Sequence, residues 1–385
     1  MGVVRSGRTE GRLEFLDCLR GVAVILVFVM HSTWLLRDSA GAGSWLLDLA
    51  QRLDFGRMGV VIFFALSGFL IPSSLKGGVW KGTANFLIGR FFRLFPAFWV
   101  SIVPSAFAIY WLFGREFGLR DLLLNATMVP RLLGAPMANG AYWTLEVELF
   151  FYLVCVYLFV GGVLRNAFLT ASIALVLGLI FYSSQRSLFG GVLNPKLSGD
   201  AFYFWLHVSI MFWGATFRKL WDGERLGWPA LGVFALYSFY ALVYRPACVI
   251  PELINGSISK PVLMSVSGYN FALLIFTASV LLQWPRLGVL AWLGRISYSF
   301  YLLHGAVIWV IVWLLRNYTV LSGGDLIVYV VATFGLGTVV AASSYYAIEA
   351  PAIAFGRRFS RLVLTADLRL PRTSKPTNGI LGSRS

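Results

Sequence analysis

Long apolar runs, separated by short clusters of charged residues, constrain this chain more than any other feature of its sequence. Ten such runs follow one another between residues 19 and 348, and most reach the roughly 18 residues that a helix needs to cross a bilayer. In lipid, only helices and closed barrels satisfy their own backbone hydrogen bonds. We therefore expect an all-α polytopic membrane protein with about ten transmembrane helices around a polar central cavity.

The expected spans are bounded by charged or Pro/Gly-rich breaks. They are residues 19–36, 59–71, 95–113, 145–163, 167–182, 201–217, 228–244, 262–282, 297–315 and 326–348. The second run is the shortest, so we expect its helix to be buried among others or to be lengthened by its flanks.

Composition agrees with a membrane protein and excludes several other classes. Apolar residues make up 58% of the chain and charged residues 13%, about half the roughly 25% of soluble domains. The net charge of +15 comes from Lys and Arg at the ends of the apolar runs, where such residues set orientation and meet anionic lipid. We therefore expect these basic residues to contact a lipid bilayer and no nucleic acid.

The distribution of charge also predicts orientation and domain limits. The larger share of the 32 Lys and Arg residues lies on the side of the N-terminus, so the positive-inside rule predicts that both termini are cytoplasmic. Residues 1–355 form the expected integral-membrane domain. Residues 356–385, a basic segment rich in Ser, Pro and Thr, are expected to be a disordered cytoplasmic tail.

Cysteine usage points to neither disulfides nor a metal site. Cys18, Cys155 and Cys248 are far apart and lack CxxC spacing, which excludes a disulfide framework or a cysteine metal cluster. We expect no metal and no permanently bound cofactor.

The first apolar run carries two ionisable residues, Arg20 and His31. Their separation of eleven residues places both on one face of a helix, about three turns apart. Because ionisable groups in a bilayer are costly, we expect this face to line a cavity open to the cytoplasm. Histidine can take a proton from a hydroxyl or act as a nucleophile, so His31 is a catalytic candidate. Alternatively, Arg20 only snorkels to the surface and His31 lies at the outer interface.

Two carboxylates, Glu146 and Glu148, follow Trp143 where the long outer loop 114–142 enters the fourth run. Residues two apart on a helix point in nearly opposite directions, so only one of the two can face a given cavity. Alternatively, both carboxylates complement the positive N-terminal end of that helix.

A basic segment precedes the third run. Arg90 and Arg93 are three residues apart and follow Lys76 and Lys81, and guanidinium groups at this spacing share a helix face and can bind phosphates. The alternative is cytoplasmic anchoring under the positive-inside rule.

The ninth run opens with a polar stripe. Ser297, Tyr301 and His304 follow i, i+4, i+7 spacing, which lines a cavity or ties helices together. Tyr298 and Tyr301 are candidate substrate-binding residues, and for His304 we expect interhelical hydrogen bonding.

Two further polar positions are expected to be structural. His207 stands alone in the sixth run, where we again expect an interhelical hydrogen bond. Glu349 lies where the last helix is expected to end at Pro351.

The order and spacing of these segments resemble the acyltransferase-3 family, the integral-membrane O-acyltransferases that modify bacterial surface polysaccharides and, in some members, antibiotics. The matching segments are residues 15–21 with His31 closing an Arg-x10-His motif, residues 59–71, 90–96, 143–152 and 297–304, and Glu349-x-Pro351.

The resemblance implies roles for individual residues. It implies that His31 is the catalytic histidine, that Arg20 supports it or the donor, and that Arg90 and Arg93 lie where coenzyme A is handled. In the Trp-x4-Glu pattern the family position falls on Glu148, which joins His31 and Arg20 as a catalytic candidate. Glu146 then becomes a secondary candidate for substrate binding, together with Trp143.

The resemblance also implies an activity, a donor and a location. It implies O-acetylation, in which an acyl group passes from acyl-CoA, acetyl-CoA in most cases, to a sugar of a surface polysaccharide or its lipid-linked precursor in the bacterial cytoplasmic (inner) membrane. Val61 and Gly89 depart from the family pattern, which bears on acceptor or donor handling. The alternatives are an acyltransferase for a small natural product such as a macrolide sugar, and a non-enzymatic transporter of glycans or drugs.

Overall fold

The computed structural model describes residues 14–39, 44–186, 200–318 and 323–366. Within these ranges every regular element is helical, which confirms the all-α class. The helices are α1 (Glu14–Leu36), α2 (Trp45–Arg52), α3 (Phe55–Leu70), α4 (Val79–Ile109), α5 (Leu119–Asn125), α6 (Trp143–Val160), α7 (Ala167–Arg186), α8 (Asp200–Trp221), α9 (Trp228–Phe239), α10 (Arg245–Ile254), α11 (Lys260–Ser265), α12 (Ala272–Leu282), α13 (Gly288–Arg295), α14 (Ser297–Asn317), α15 (Leu326–Ser344) and α16 (Ala350–Ala366).

Three π-helical turns link pairs of these helices. They are Tyr240–Tyr244 between α9 and α10, Val266–Phe271 between α11 and α12, and Tyr345–Glu349 between α15 and α16. A π turn inserts one extra residue without ending the helix. Each pair therefore runs on as one interrupted rod.

The helices are long and apolar enough to make the chain a multi-pass membrane protein. Among the described residues, eight helical stretches have the length and composition to cross a bilayer, and Ala167–Phe181 is a shorter apolar helix. All ten expected runs fall largely on helices. The shortest expected run is lengthened by its flanks, since the helical stretch there extends over Phe55–Ser74.

The prediction that Pro351 ends the last helix is wrong. Pro351 is the second residue of α16, which continues to Ala366. A proline is tolerated there because the preceding π turn, Tyr345–Glu349, has already interrupted the regular hydrogen-bond ladder. The expected domain limit at residue 355 therefore falls inside α16, and residues 356–366 are helical. Residues 367–385 of the expected tail lie outside the described residues.

Helices α1, α3 and α14 form the centre of the bundle. Helix α1 packs against α3 and α13, α3 packs against α8, and α14 contacts α1, α4 and α15. Glycines allow the closest approaches: a Cβ on Gly68 of α3 would collide with the Met211 carbonyl of α8, and one on Gly294 with the Asp17 carbonyl of α1. Small residues at crossings are typical of membrane helices. The first of these crossings holds α3 against α8, and the second holds α13 against α1.

Candidate active site

One cavity lies at the end of the bundle where α1 begins. Its volume is about 100 Å³, and its lining includes Arg20 of α1, Arg90 and Arg93 of α4, Glu148 of α6 and Tyr298 of α14. We call it the arginine cavity. Five residues that the sequence singled out thus come together from four helices.

The arginine cavity is rich in positive charge. Arg20 donates from Nη1 to Asp17 Oδ1 at 2.8 Å, and the Arg90 guanidinium lies 5.2 Å and 5.3 Å from the ring centroids of Phe86 and Tyr152. Guanidinium groups offer planar forks of donors to phosphates and carboxylates. With three arginines around one carboxylate, the cavity is suited to an anionic ligand.

Two hydroxyl groups fix the polar wall of the arginine cavity. The Tyr152 hydroxyl donates to Glu148 Oε1 at 2.5 Å, and the Tyr298 hydroxyl donates to the Leu94 carbonyl at 2.9 Å. Each hydrogen bond holds a side chain that would otherwise rotate. Glu148 is therefore held in place beside the arginines.

Glu146 points away from Glu148, as the two-residue spacing predicts. Its buried Oε2 lies 2.7 Å from Arg131 Nη2, and its Oε1 accepts from the Arg131 backbone N–H at 3.3 Å. It is not among the residues lining the arginine cavity. Glu146 ties the segment between α5 and α6 to the start of α6.

A second, larger cavity of about 590 Å³ lies beyond the arginine cavity, on the side of the segment between α5 and α6. His31 of α1, Trp143 of α6, Tyr301 of α14 and Arg131 contribute to its lining. We call it the histidine cavity. Its volume falls within the roughly 300–1,000 Å³ of typical small-molecule sites.

Aromatic rings and a charged pair line the histidine cavity. Arg57 Nε lies 3.3 Å from Asp54 Oδ2, and the Arg57 guanidinium lies 5.3 Å and 5.4 Å from the ring centroids of Tyr203 and Tyr269. All four residues line the cavity. Apolar faces combined with a few fixed polar groups suit a ligand with both C–H faces and hydroxyls.

His207 also lines the histidine cavity. Its Nε2 lies 3.2 Å from the Tyr269 hydroxyl, which confirms the expected interhelical hydrogen bond. Its ring centroid is 5.4 Å from that of Trp143. His207 therefore contributes to the aromatic wall and braces Tyr269.

His31 is hydrogen-bonded to a second, buried histidine, His304. Its Nδ1 lies 2.9 Å from Nε2 of His304, and His304 is only 1% exposed. The expected interhelical hydrogen bond of His304 is confirmed, and its partner is the catalytic candidate itself.

The two cavities meet at Val60 and Tyr301, which line both. The Tyr301 hydroxyl donates to the Ala141 carbonyl and accepts from Thr144 Oγ1, both at 2.8 Å. The polar central cavity expected from the sequence is therefore divided in two. Arg20 lines one part and His31 the other, because the three turns between them carry them past this partition.

The two departures from the family pattern have different surroundings. Val61 is fully buried, so it contributes to packing and offers no polar group. A Cβ on Gly89 would meet no heavy atom within 4 Å. Position 89 thus has room for a side chain next to Arg90.

Several residues around the histidine cavity carry no sequence signal that points to a site. Asp54, Arg57 and Arg131 line it, and none was singled out. Asp54 carried one readable signal, because it caps α3 by accepting from the Arg57 backbone N–H at 2.9 Å, and Asp before an apolar run marks a helix start. That signal locates the helix but not the cavity. Among the described residues, no three His, Cys, Asp or Glu side chains form a metal-binding group.

Comparisons with known proteins agree with this picture of the chain. Residues 13–346 match the family model described as an acyltransferase domain. Nodulation protein 10 of Rhizobium leguminosarum bv. viciae is 30% identical over 166 residues, 38% of this chain and 44% of that protein. The O-acetyl transferase of Shigella phage Sf6 is 25% identical over 297 residues, 69% of this chain and 83% of that protein.

A third relative matches this chain over a similar number of residues. A protein described as a membrane-bound transacylase, from Komagataeibacter xylinus, is 25% identical over 316 residues, 77% of this chain and 72% of that protein. The match to the nodulation protein spans less than half of that relative's length. No solved structure gives a significant match.

Proposed function

The chain belongs to the acyltransferase-3 family, and from that premise we propose that it transfers an acyl group, typically acetyl, from acyl-CoA to a sugar hydroxyl of a surface polysaccharide or its lipid-linked precursor. One observation carries the proposal. A cationic cavity and an aromatic cavity meet at Val60 and Tyr301, and His31 lines the second.

The donor belongs in the arginine cavity. Acyl-CoA carries several phosphate charges, and Arg20, Arg90 and Arg93 supply guanidinium groups suited to phosphates. The cavity holds only about 100 Å³, so only part of the donor fits inside it. The rest extends into solvent, and the acyl end points toward Val60 and Tyr301.

The acceptor belongs in the histidine cavity. A sugar presents apolar C–H faces to aromatic rings such as Trp143 and hydroxyls to polar groups such as Asp54 and Arg57. A hydroxyl bound there stands next to His31. Acyl donor and acceptor then reach the reacting position from opposite ends of the bundle.

The chemistry needs one group that takes and returns a proton. In direct transfer, His31 takes the hydroxyl proton, the hydroxyl oxygen bonds to the thioester carbonyl carbon, and the carbon–sulfur bond breaks. The leaving thiolate then receives the proton from His31. In the covalent route, His31 attacks the thioester carbonyl carbon and the thiolate of coenzyme A leaves. The sugar hydroxyl oxygen then attacks the acyl-histidine, which frees His31, and the hydroxyl proton passes to the thiolate.

The division into an arginine cavity and a histidine cavity also gives the protein an orientation in the membrane. The arginine end of the bundle carries the positive charge that the positive-inside rule assigns to the cytoplasm, where acyl-CoA is made. The histidine cavity then opens toward the outer face of a bacterial cytoplasmic membrane. The enzyme would thus modify glycans on the side away from its donor.

The first test is acyl consumption by purified, detergent-solubilised protein. Acetyl-CoA and propionyl-CoA are supplied with extracted cell-envelope glycans, and release of free thiol is followed for the wild type and His31→Ala. We expect His31→Ala to lower the rate by about 10²–10⁴-fold, the usual contribution of a general base.

Thr33→Val is the matched control for that test. Thr33 lies on the same helix, is fully buried, and has a hydroxyl that finds no partner among the described residues. Removing a partnerless hydroxyl is close to neutral for stability, so this variant should retain wild-type thiol release. Equal thiol release by His31→Ala would contradict the role of His31. If the wild type releases no thiol with any acceptor, the transporter alternative gains weight and flux into liposomes becomes the assay.

A further inference from the structure

His31 and His304 form a hydrogen-bonded pair between helices α1 and α14. Nδ1 of His31 lies 2.9 Å from Nε2 of His304. The other ring nitrogen of His304, Nδ1, lies 2.8 Å from the carbonyl oxygen of Tyr301. His304 therefore stands between the catalytic candidate and a fixed backbone acceptor.

The backbone carbonyl determines which nitrogen of His304 carries hydrogen. A carbonyl oxygen only accepts, so the His304 Nδ1 must donate. A neutral imidazole has one N–H, which leaves Nε2 of His304 as an acceptor. The N–H of this second hydrogen bond then belongs to Nδ1 of His31.

Ring geometry agrees with a hydrogen bond between the two histidines rather than face-to-face stacking. The rings are inclined by only 9°, and their centroids are 5.2 Å apart. That separation is about the N···N distance plus the distance of each nitrogen from its own ring centre. The rings therefore meet edge to edge, close to one plane, which is the orientation that a linear N–H···N bond requires.

The same two hydrogen bonds determine the state of the other ring nitrogen of His31, Nε2. With hydrogen on Nδ1, the Nε2 of a neutral His31 carries a lone pair. Among the described residues, no hydrogen-bond partner of this nitrogen is present, and His31 lines the histidine cavity. Nε2 is thus the ring nitrogen left for a substrate.

We propose that His304 is a positioning residue that holds His31 in the Nδ1–H tautomer, so that Nε2 acts as the base or nucleophile. The role of Nε2 as base or nucleophile rests on the proposed function. The step is balanced: a hydroxyl proton moves to Nε2 of His31, the oxygen–carbon bond forms as the carbon–sulfur bond breaks, and Nε2 returns the proton to the thiolate. Nδ1–H stays bonded to His304 throughout.

The kinetic test compares two replacements of His304. His304→Leu removes the acceptor, and kcat should fall by about 10²-fold or more, as when a partner of a catalytic or metal-bound histidine is lost. His304→Gln offers an amide oxygen near the position of Nε2, and should recover at least about tenfold of that loss. The KM for acyl-CoA should change little in both, since His304 does not line the arginine cavity.

A role in packing alone predicts a different pattern. Leu and Gln would then lower yield and thermal stability without separating kcat from KM. Activity of His304→Leu equal to the wild type would overturn the proposal. So would equal kcat losses in folded Leu and Gln variants.

A direct measurement keeps the inference testable even if no acyl transfer is found. The chain has only three histidines, so ¹⁵N-histidine labelling gives a spectrum simple enough to assign with His31→Asn and His207→Gln. The wild type near neutral pH should show His31 protonated at Nδ1 and unprotonated at Nε2, and His304→Leu should show both tautomers. A wild-type His31 protonated at Nε2 alone would refute the proposal, whatever the enzyme assay shows.

Discussion

The two cavities differ in size, charge and the way their residues are held. The arginine cavity is small and cationic, and it contains one pair, Arg90 and Arg93, whose three-residue spacing on a single helix already predicts a shared face. The histidine cavity is about six times larger. His31, which lines this larger cavity, is hydrogen-bonded to His304, a residue 273 positions away in sequence. The difference indicates that part of the proposed donor site follows from local helix spacing, whereas the proposed acceptor site depends on tertiary packing.

The largest expected effect separates donor from acceptor recognition. In Arg90→Ala/Arg93→Ala, the KM for acyl-CoA should rise by about 10²-fold, since each hydrogen bond to a charged group contributes about 1.5–3 kcal/mol. The KM for the acceptor should not change. Initial rates over a matrix of donor and acceptor concentrations measure both values.

Trp143→Ala is the reciprocal variant of that experiment. Loss of one aromatic wall should raise the acceptor KM by about tenfold and leave the donor KM as it is. If both variants raise the same KM, the two cavities do not bind different substrates.

A smaller effect is expected at the partition between the cavities. In Tyr301→Ala, loss of the ring and of its hydrogen bonds to Ala141 and Thr144 should join the two cavities and admit water to the thioester. Acyl-CoA hydrolysis without acceptor should rise several-fold while transfer to the sugar falls. Thiol release measured with and without acceptor gives the two rates. A variant with unchanged hydrolysis and unchanged transfer would show that Tyr301 does not separate the substrates.

The smallest effects come from the two neighbouring glutamates. Glu148→Gln removes the only carboxylate that lines the arginine cavity among the described residues, so kcat should fall a few-fold without a rise in the KM for acyl-CoA. Glu146→Gln weakens the ion pair with Arg131, which lines the histidine cavity, so the acceptor KM alone should rise a few-fold. Parallel steady-state kinetics of the two variants checks this. Interchanged effects would mean that the glutamates face the opposite cavities.

Much of the fold was predictable because hydrophobic length is a local property. The apolar runs specified where helices lie, and the spacing of Arg90 and Arg93, or of Glu146 and Glu148, specified relative directions on one helix. The continuation of the last helix past Pro351 was not predictable from proline alone, because the π turn Tyr345–Glu349 has no simple sequence signal.

The candidate site was predictable only in part. His31 and Arg20 were recognised, but their shared face suggested one cavity, and nothing in the first run reveals Tyr301 standing between them. Likewise, the sequence around Asp54 and Arg57 indicates only a helix start. The approach of Arg57 to the rings of Tyr203 and Tyr269 depends on how α3 packs against distant helices. Contacts between remote segments, rather than the identity of single residues, are what the sequence left undetermined.

The most direct test of the central claim is a sided assay in sealed proteoliposomes. Acetyl-CoA is added outside only, and an impermeant glycan acceptor is placed either inside or outside. Donor and acceptor cavities at opposite ends of the bundle predict acylation of the trapped acceptor and none of the external acceptor, and loss of this product in His31→Ala. Acylation of the external acceptor alone would contradict transfer across the membrane and favour an enzyme that takes both substrates from one face.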